Sequence, residues 1–216
     1  MKTVFVILDS LNRSAMEPYG SEFVQTPNFS RFQKKAITFD NHYVGSLPCM
    51  PARRDMHTGR IHFLHRSWGP LEPFDDSFPE IMKKQGIYTH LVTDHHHYFA
   101  DGGATYHQRY SSWELVRGQA IDRWKAIVNP DTESLKSKFH RMQHHRTNYM
   151  INREFMLEEK DYCSPQLFNL ADEFLQANHK SDNWLLQLEC FDPHEPFHAP
   201  ERFRQKYETS YKGPIL

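Results

Sequence analysis

Three strand-like runs in this chain, residues 4–8, 88–93 and 184–191, each stop at a carboxylate: Asp9, Asp94 and Asp192. Residues 4–8 (Val-Phe-Val-Ile-Leu) are apolar throughout instead of alternating, which suits a parallel strand covered on both faces. Polar groups at the carboxyl ends of such strands stand where an open α/β sheet builds its sites. Helical stretches lie between the runs. Thr26 and Pro27 open one that reaches about Lys35. Ser77-Phe78-Pro79-Glu80 reads as a capping box for a second, ending near Gly86. A third starts at Ser164-Pro165, with Leu167, Phe168, Ala171, Phe174 and Leu175 on one face. Residues 37–44 read as a further strand, and 106–160 as mixed helix and loop. Strands alternating with helices predict an α/β sandwich, a largely parallel central sheet flanked by helices.

Composition narrows the function classes. The 216 residues suffice for one large domain or two small ones. Hydrophobic content of 38% with a mean hydropathy of -0.75 is polar for a self-contained domain of this size. A formal charge of -1 gives no general attraction to nucleic acid or to membrane surfaces, so neither is an expected partner. No segment is long and apolar enough to span a bilayer. Met1 runs straight into the first strand without a signal-peptide pattern, and the expected location is cytoplasmic. Cys49, Cys163 and Cys190 do not make a disulfide framework. Fifteen histidines point to polar site chemistry or pH sensitivity.

The densest pattern is Cys49-Met50-Pro51-Ala52-Arg53, closed by Thr58-Gly59-Arg60. Pro51 suits a first helical turn, Arg53 lies one turn beyond Cys49, and Gly59 can end the helix in a left-handed conformation. A cysteine at a helix start, beside a cation, is a place for a nucleophile or an anion; the competing reading is a buried structural thiol. Asp9 is either a metal ligand or the cap of the next turn. Asp94-His95-His96-His97, with His107 beyond, reads as a transition-metal site or as a polar loop, and three consecutive histidines cannot easily share one ion. Residues 191–198 carry His194 and His198 in a proline-rich turn.

The C-x-P-x-R…T-G-R pattern resembles the signature of type I sulfatases, in the alkaline phosphatase-like superfamily. The resemblance extends through Val6-Ile7-Leu8-Asp9, Tyr19-Gly20, Thr26-Pro27-Asn28-Phe29 and Phe39. It implies an alkaline phosphatase-like sandwich and a sulfuric ester hydrolase acting on a small-molecule or saccharide sulfate ester. Cys49 would be oxidised to formylglycine by a maturation enzyme, and one hydroxyl of the hydrated aldehyde would attack sulfur while the other expels sulfate. Asp9 and residue 49 would hold a divalent cation, Ca²⁺ or Mg²⁺. Ser10 stands where many sulfatases have a second aspartate, and Asn12 could offer an oxygen. Arg53 would hold the nucleophile and the carboxylates. His96 matches the histidine of a G-K-x-H segment and His194 that of P-H-x-P; both would serve catalysis and substrate binding, with His198 as a further substrate contact. Asp94 stands in place of the G-K-x-H lysine. That departure leaves room for a phosphonate monoester or phosphodiester hydrolase.

The resemblance covers the amino-terminal half of the family's architecture. Residues 1–216 are therefore expected to be the amino-terminal, incomplete part of a catalytic domain, with a substrate-side insertion around 98–160. Further metal ligands would lie outside it. A non-catalytic fragment acting as an interaction half is the rival from another class, and homo-oligomerisation is left open. A plain cysteine hydrolase is weaker, because no Cys-His-Asn/Asp order is convincing.

Overall fold

The computed structural model describes residues 1–138, 147–195 and 197–208. Its centre is a four-stranded, all-parallel sheet: β1 (Lys2–Leu8), β2 (Tyr88–Thr93), β3 (Ser112–Leu115) and β4 (Trp184–Cys190), in the order β1-β4-β2-β3. Register pairs Leu8 with Cys190 and Thr93 with Glu189, so β1, β2 and β4 end at one level. The helices are α1 (Pro27–Gln33), α2 (Cys49–Thr58), α3 (Phe78–Lys84), α4 (Thr132–Lys138), α5 (Thr147–Arg153), α6 (Cys163–Asn178) and α7 (Glu201–Glu208). None among the described residues is long and apolar enough to cross a membrane.

All seven residues of β4 are buried, because it is central and covered on both faces. Side chains along a strand alternate between faces. Leu186, Leu188 and Cys190 therefore join Cys163, Leu167 and Ala171 of α6 in one core. Leu185 packs on the other face, in a second core with Met50, Leu91 and three buried tyrosines, Tyr98, Tyr106 and Tyr110. On that second face β4 also buries Gln187 and Glu189, two polar groups that need partners there.

Several expected elements differ. β1 is parallel but lies at the sheet edge, leaving Val4 and Val6 48% and 46% exposed, so its continuous apolar run does not report burial on both faces. Residues 37–44 form no strand; Ile37 and Tyr43 are both 84% exposed, without a neighbouring strand to pair them. The 106–160 region instead supplies β3, which extends the sheet beside β2. Phe168 is 50% exposed, and Leu170 takes the place expected for it on the packed face of α6. Neither expected cap bonds its helix: Thr26 Oγ1 accepts from the Glu17 amide at 2.9 Å, and Ser77 Oγ lies 2.9 Å from His57 Nδ1.

That last contact locks α2 to α3. His57 is fully buried among Phe78, Tyr106 and Tyr110, and burial, with Arg109 adding to it, brings its pKa down to about 3. Between about pH 6.5 and pH 3 the unfolded chain binds a proton at this site and the folded chain does not, so stability is lost as the pH falls. One such group contributes about 1.4 kcal/mol per pH unit. We expect His57→Asn, compared with wild type by urea denaturation between about pH 6 and pH 4, to reduce the acid slope by about that amount. Equal slopes would show that His57 is not held neutral.

Candidate active site

The site forms where β1 and β4 end beside the start of α2. The Asp9 amide continues the sheet by donating to the Cys190 carbonyl at 2.9 Å. The chain then turns sharply at Ser10, whose φ of 57° lies in the left-handed region, and Ser10 Oγ donates back to Asp9 Oδ1 at 3.0 Å. Cys49 is the first residue of α2, half-buried, and Gly59 ends that helix with a φ of 68°. One turn beyond Cys49, buried Arg53 reaches across the sheet ends. Its Nη2 donates to Asp9 Oδ2 at 2.8 Å and its Nε to Glu189 Oε1 at 2.7 Å.

The network continues inward. Glu189 Oε2 accepts from Tyr98 Oη at 2.8 Å and from Gln187 Nε2 at 3.3 Å, and Gln187 Oε1 accepts from Tyr110 Oη at 2.6 Å. Two carboxylates here face one guanidinium. Buried charge of one sign needs a counter-charge, so the cluster leaves electrostatic room for a cation. Asp9, Cys49 and His95 offer ligand atoms all within 4.8 Å of one another. His95 is completely buried, neither ring nitrogen makes a hydrogen bond, and its Nε2 stands 3.8 Å from Glu189 Oε1. Burial, and then Arg53, hold its pKa well below the usual histidine range, which keeps the imidazole neutral and able to ligate. One carboxylate, one imidazole and residue 49 are suitable donors for a divalent cation.

Cys49 as a thiol is a poor nucleophile in this place. Burial raises its pKa to about 11, opposed by Arg53 and reinforced by Asp9. At neutral pH only about one thiol in ten thousand would be ionised. Burial therefore weighs against unassisted thiolate chemistry.

Asp9, Cys49 and Arg53, singled out in the sequence, come together. His96, His194 and His198 lie outside the group of ligand atoms. His96 packs against His97 at 4.0 Å between ring centroids, and His96 and His194 face Phe191 at 5.7 and 4.3 Å. His198 stacks on Tyr162 at 5.2 Å, and burial with Arg153 and Arg204 pushes its pKa down to about 3. Asn12 is engaged locally, its Oδ1 accepting from the Ser14 amide at 2.9 Å, and Arg60 pairs with Asp76 on the surface. Asp94 is buried and accepts from the Phe191 amide at 2.7 Å, so it braces the β4 end. Sequence reasoning named His95 only within the 94–97 cluster and carried His96 forward in its place, and it missed Glu189. The signal for Glu189 was present: Gln187 and Glu189 fall two apart on one face of an otherwise apolar strand.

Comparison with known proteins follows the same outline. The family model described as Sulfatase matches residues 2–213. The choline-sulfatase of Rhizobium meliloti is 22% identical over 95% of this chain and 40% of its own length. The N-acetylglucosamine-6-O-sulfatase of Bacteroides thetaiotaomicron is 25% identical over 88% of this chain and 30% of its own. The chain thus spans less than half the length of these relatives. Among solved structures, a protein in complex with its substrate D-glucosamine-2-N,6-O-disulfate superposes with a TM-score of 0.67 at 19% identity, covering 99% of this chain and 39% of that one. The phosphonate monoester hydrolase of Agrobacterium radiobacter gives 0.60 at 19% identity, covering 94% and 43%. At these identities the superpositions speak to the fold.

The Arg53 network predicts its own sensitivity. Removing one partner of a buried ion pair costs about 3–5 kcal/mol, because the other charge stays buried. Arg53→Met leaves both Asp9 and Glu189 without their cation and is expected to lower the unfolding free energy by about that much. An unchanged denaturation midpoint would refute the bridge.

Proposed function

The chain belongs to the sulfatase family, and from that premise we propose that it provides the nucleophile side of a sulfate-ester hydrolase. The observation that carries the reading is Cys49 at the start of α2, beside Asp9 and tied to it through Arg53, with its thiol held protonated. The C-x-P-x-R…T-G-R signature around Cys49 supports reading this thiol as the precursor of formylglycine. Formylglycine at position 49 would supply a hydrated aldehyde, one hydroxyl serving as nucleophile toward sulfur as the ester oxygen departs and the other, on deprotonation, releasing sulfate and restoring the aldehyde.

Asp9 and residue 49 would hold a divalent cation, Ca²⁺ or Mg²⁺, with His95 beside them. When bound, such a cation polarises the sulfuryl oxygens. These ions take about six or more ligands, so water, substrate or further chain supplies the rest. Arg53 fixes Asp9 relative to residue 49. His96 and His194, on the wall around Phe191, bind the sulfuryl group and protonate the leaving oxygen. Positioning and electrostatics together must supply on the order of ten kcal/mol of barrier lowering. A saccharide sulfate is the substrate class we favour, given the amino-sugar sulfates named for two of the similar proteins. His198 serves the substrate side, and a formylglycine-generating enzyme is the maturation partner.

One observation supports a second reading. Asp94 occupies the place of the family's sulfate-binding lysine and contributes no positive charge. A phosphonate monoester or phosphodiester substrate would tolerate that loss, and the chain superposes on a phosphonate monoester hydrolase.

Co-expression with a formylglycine-generating enzyme tests both readings. The peptide containing Cys49 should lose the mass difference between SH₂ and O. The converted chain should hydrolyse an aryl sulfate faster than an aryl phosphonate, and Cys49→Ala should lose at least about a thousandfold in kcat/KM. Equal activity from unconverted Cys49 would refute the nucleophile; a preference for phosphonate would favour the second reading.

A further inference from the structure

A second group of ligand atoms lies on the face of the sheet away from Arg53. The ends of β2 and β4 bring Asp94, Cys190 and Asp192 together, with their ligand atoms all within 4.8 Å of one another. The strand geometry explains why. Glu189 points into the Arg53 network, so the next residue, Cys190, points to the α6 side, where it packs with Cys163, the first residue of that helix.

Asp94 carries the argument. It is completely buried; one carboxylate oxygen accepts from the Phe191 amide at 2.7 Å, and the other, Oδ2, has no hydrogen-bond partner. A buried carboxylate oxygen without a partner is costly unless a proton or a cation meets it. Asp192 is already oriented, its Oδ1 accepting from Gln119 Nε2 at 2.7 Å and its Oδ2 from Ser164 Oγ at 2.5 Å. Gln119 is itself fixed by Arg153, whose Nη2 donates to Gln119 Oε1 at 2.7 Å. Held carboxylates of this kind, backed by an outer layer of hydrogen bonds, are what metal sites use. Cys190 Sγ lies 3.4 Å from Ser164 Oγ.

We propose that Asp94, Cys190 and Asp192 bind a borderline divalent cation such as Zn²⁺, at a site separate from the one beside Asp9. One sulfur and two carboxylate oxygens match the donor preferences of zinc, whereas Mg²⁺ and Ca²⁺ take oxygen alone. Ligand atoms around tetrahedral zinc stand roughly 3.5 Å apart, so a small contraction of the present group suffices. Asp192 is partly exposed and gives the ion a route in, with Ser164 or water as the fourth ligand. Binding releases the Cys190 proton, and any proton on Asp94, to solvent. The bound ion joins β2 and β4 to the turn that bears His194.

Cobalt(II) reports the site directly, since a thiolate ligand gives a charge-transfer band in the near ultraviolet and a tetrahedral site gives intense visible bands. The full chain carrying Cys49→Ser, stripped with a chelator, removes residue 49 as a source of thiolate. We expect the thiolate band to saturate with one equivalent of Co²⁺, whatever the Asp9 side binds without a thiolate, and Zn²⁺ to bleach it. Cys163→Ser should retain the band, Cys190→Ser should abolish it, and Asp94→Asn should weaken cobalt binding at least about tenfold. Asp192→Asn, at the exposed side of the group, repeats the test if Cys190→Ser fails to fold. Absence of the band, its survival in Cys190→Ser, or unchanged cobalt affinity in Asp94→Asn and Asp192→Asn, would overturn the proposal and leave a proton on Asp94.

Discussion

One guanidinium sets the geometry of this molecule's polar end. Arg53 joins α2 to β1 through Asp9 and to β4 through Glu189, three segments far apart in sequence. A buried arginine bonded to two carboxylates tolerates little displacement, because each lost contact strands a charge in a medium that cannot solvate it. Everything near Cys49 is therefore placed by electrostatic necessity as much as by packing. Apolar contacts bring α2 against the sheet; the ion bridge determines which residues of the strand ends face it.

Much of the sheet could be read from the chain. Residues 88–93 and the run from Trp184 stood out because covered parallel strands need apolar side chains on both faces. β3 did not, since Ser112-Trp113-Glu114-Leu115 is short and half polar and owes its conformation to pairing with β2. Residues 37–44 carried a strand-like composition without any partner to realise it. The hydroxyls of Thr26 and Ser77 fitted local capping rules and were taken by more distant groups, Glu17 and His57.

The site divided along similar lines. Cys49 and Arg53 were legible from their spacing of one helical turn, and the resemblance to the sulfatase opening placed Asp9 with them. The choice among three adjacent histidines was not, since a short 3-10 turn at His96–Phe99 decides which imidazole turns inward, and it is His95 that meets Asp9 and Cys49. Glu189 and Cys190 show the corresponding rule in a strand: neighbours in sequence, they serve opposite faces of the sheet.

The position of β1 has a further consequence. Asp9 directly follows β1, one of the two strands that, among the described residues, pair on one side only. An edge strand with free amides and carbonyls is a template for another strand. Any chain that added there would fix the lateral freedom of β1, and with it the distance between the Asp9 carboxylate and residue 49. Assembly at that edge and the spacing of the groups around Cys49 would then be a single, coupled equilibrium.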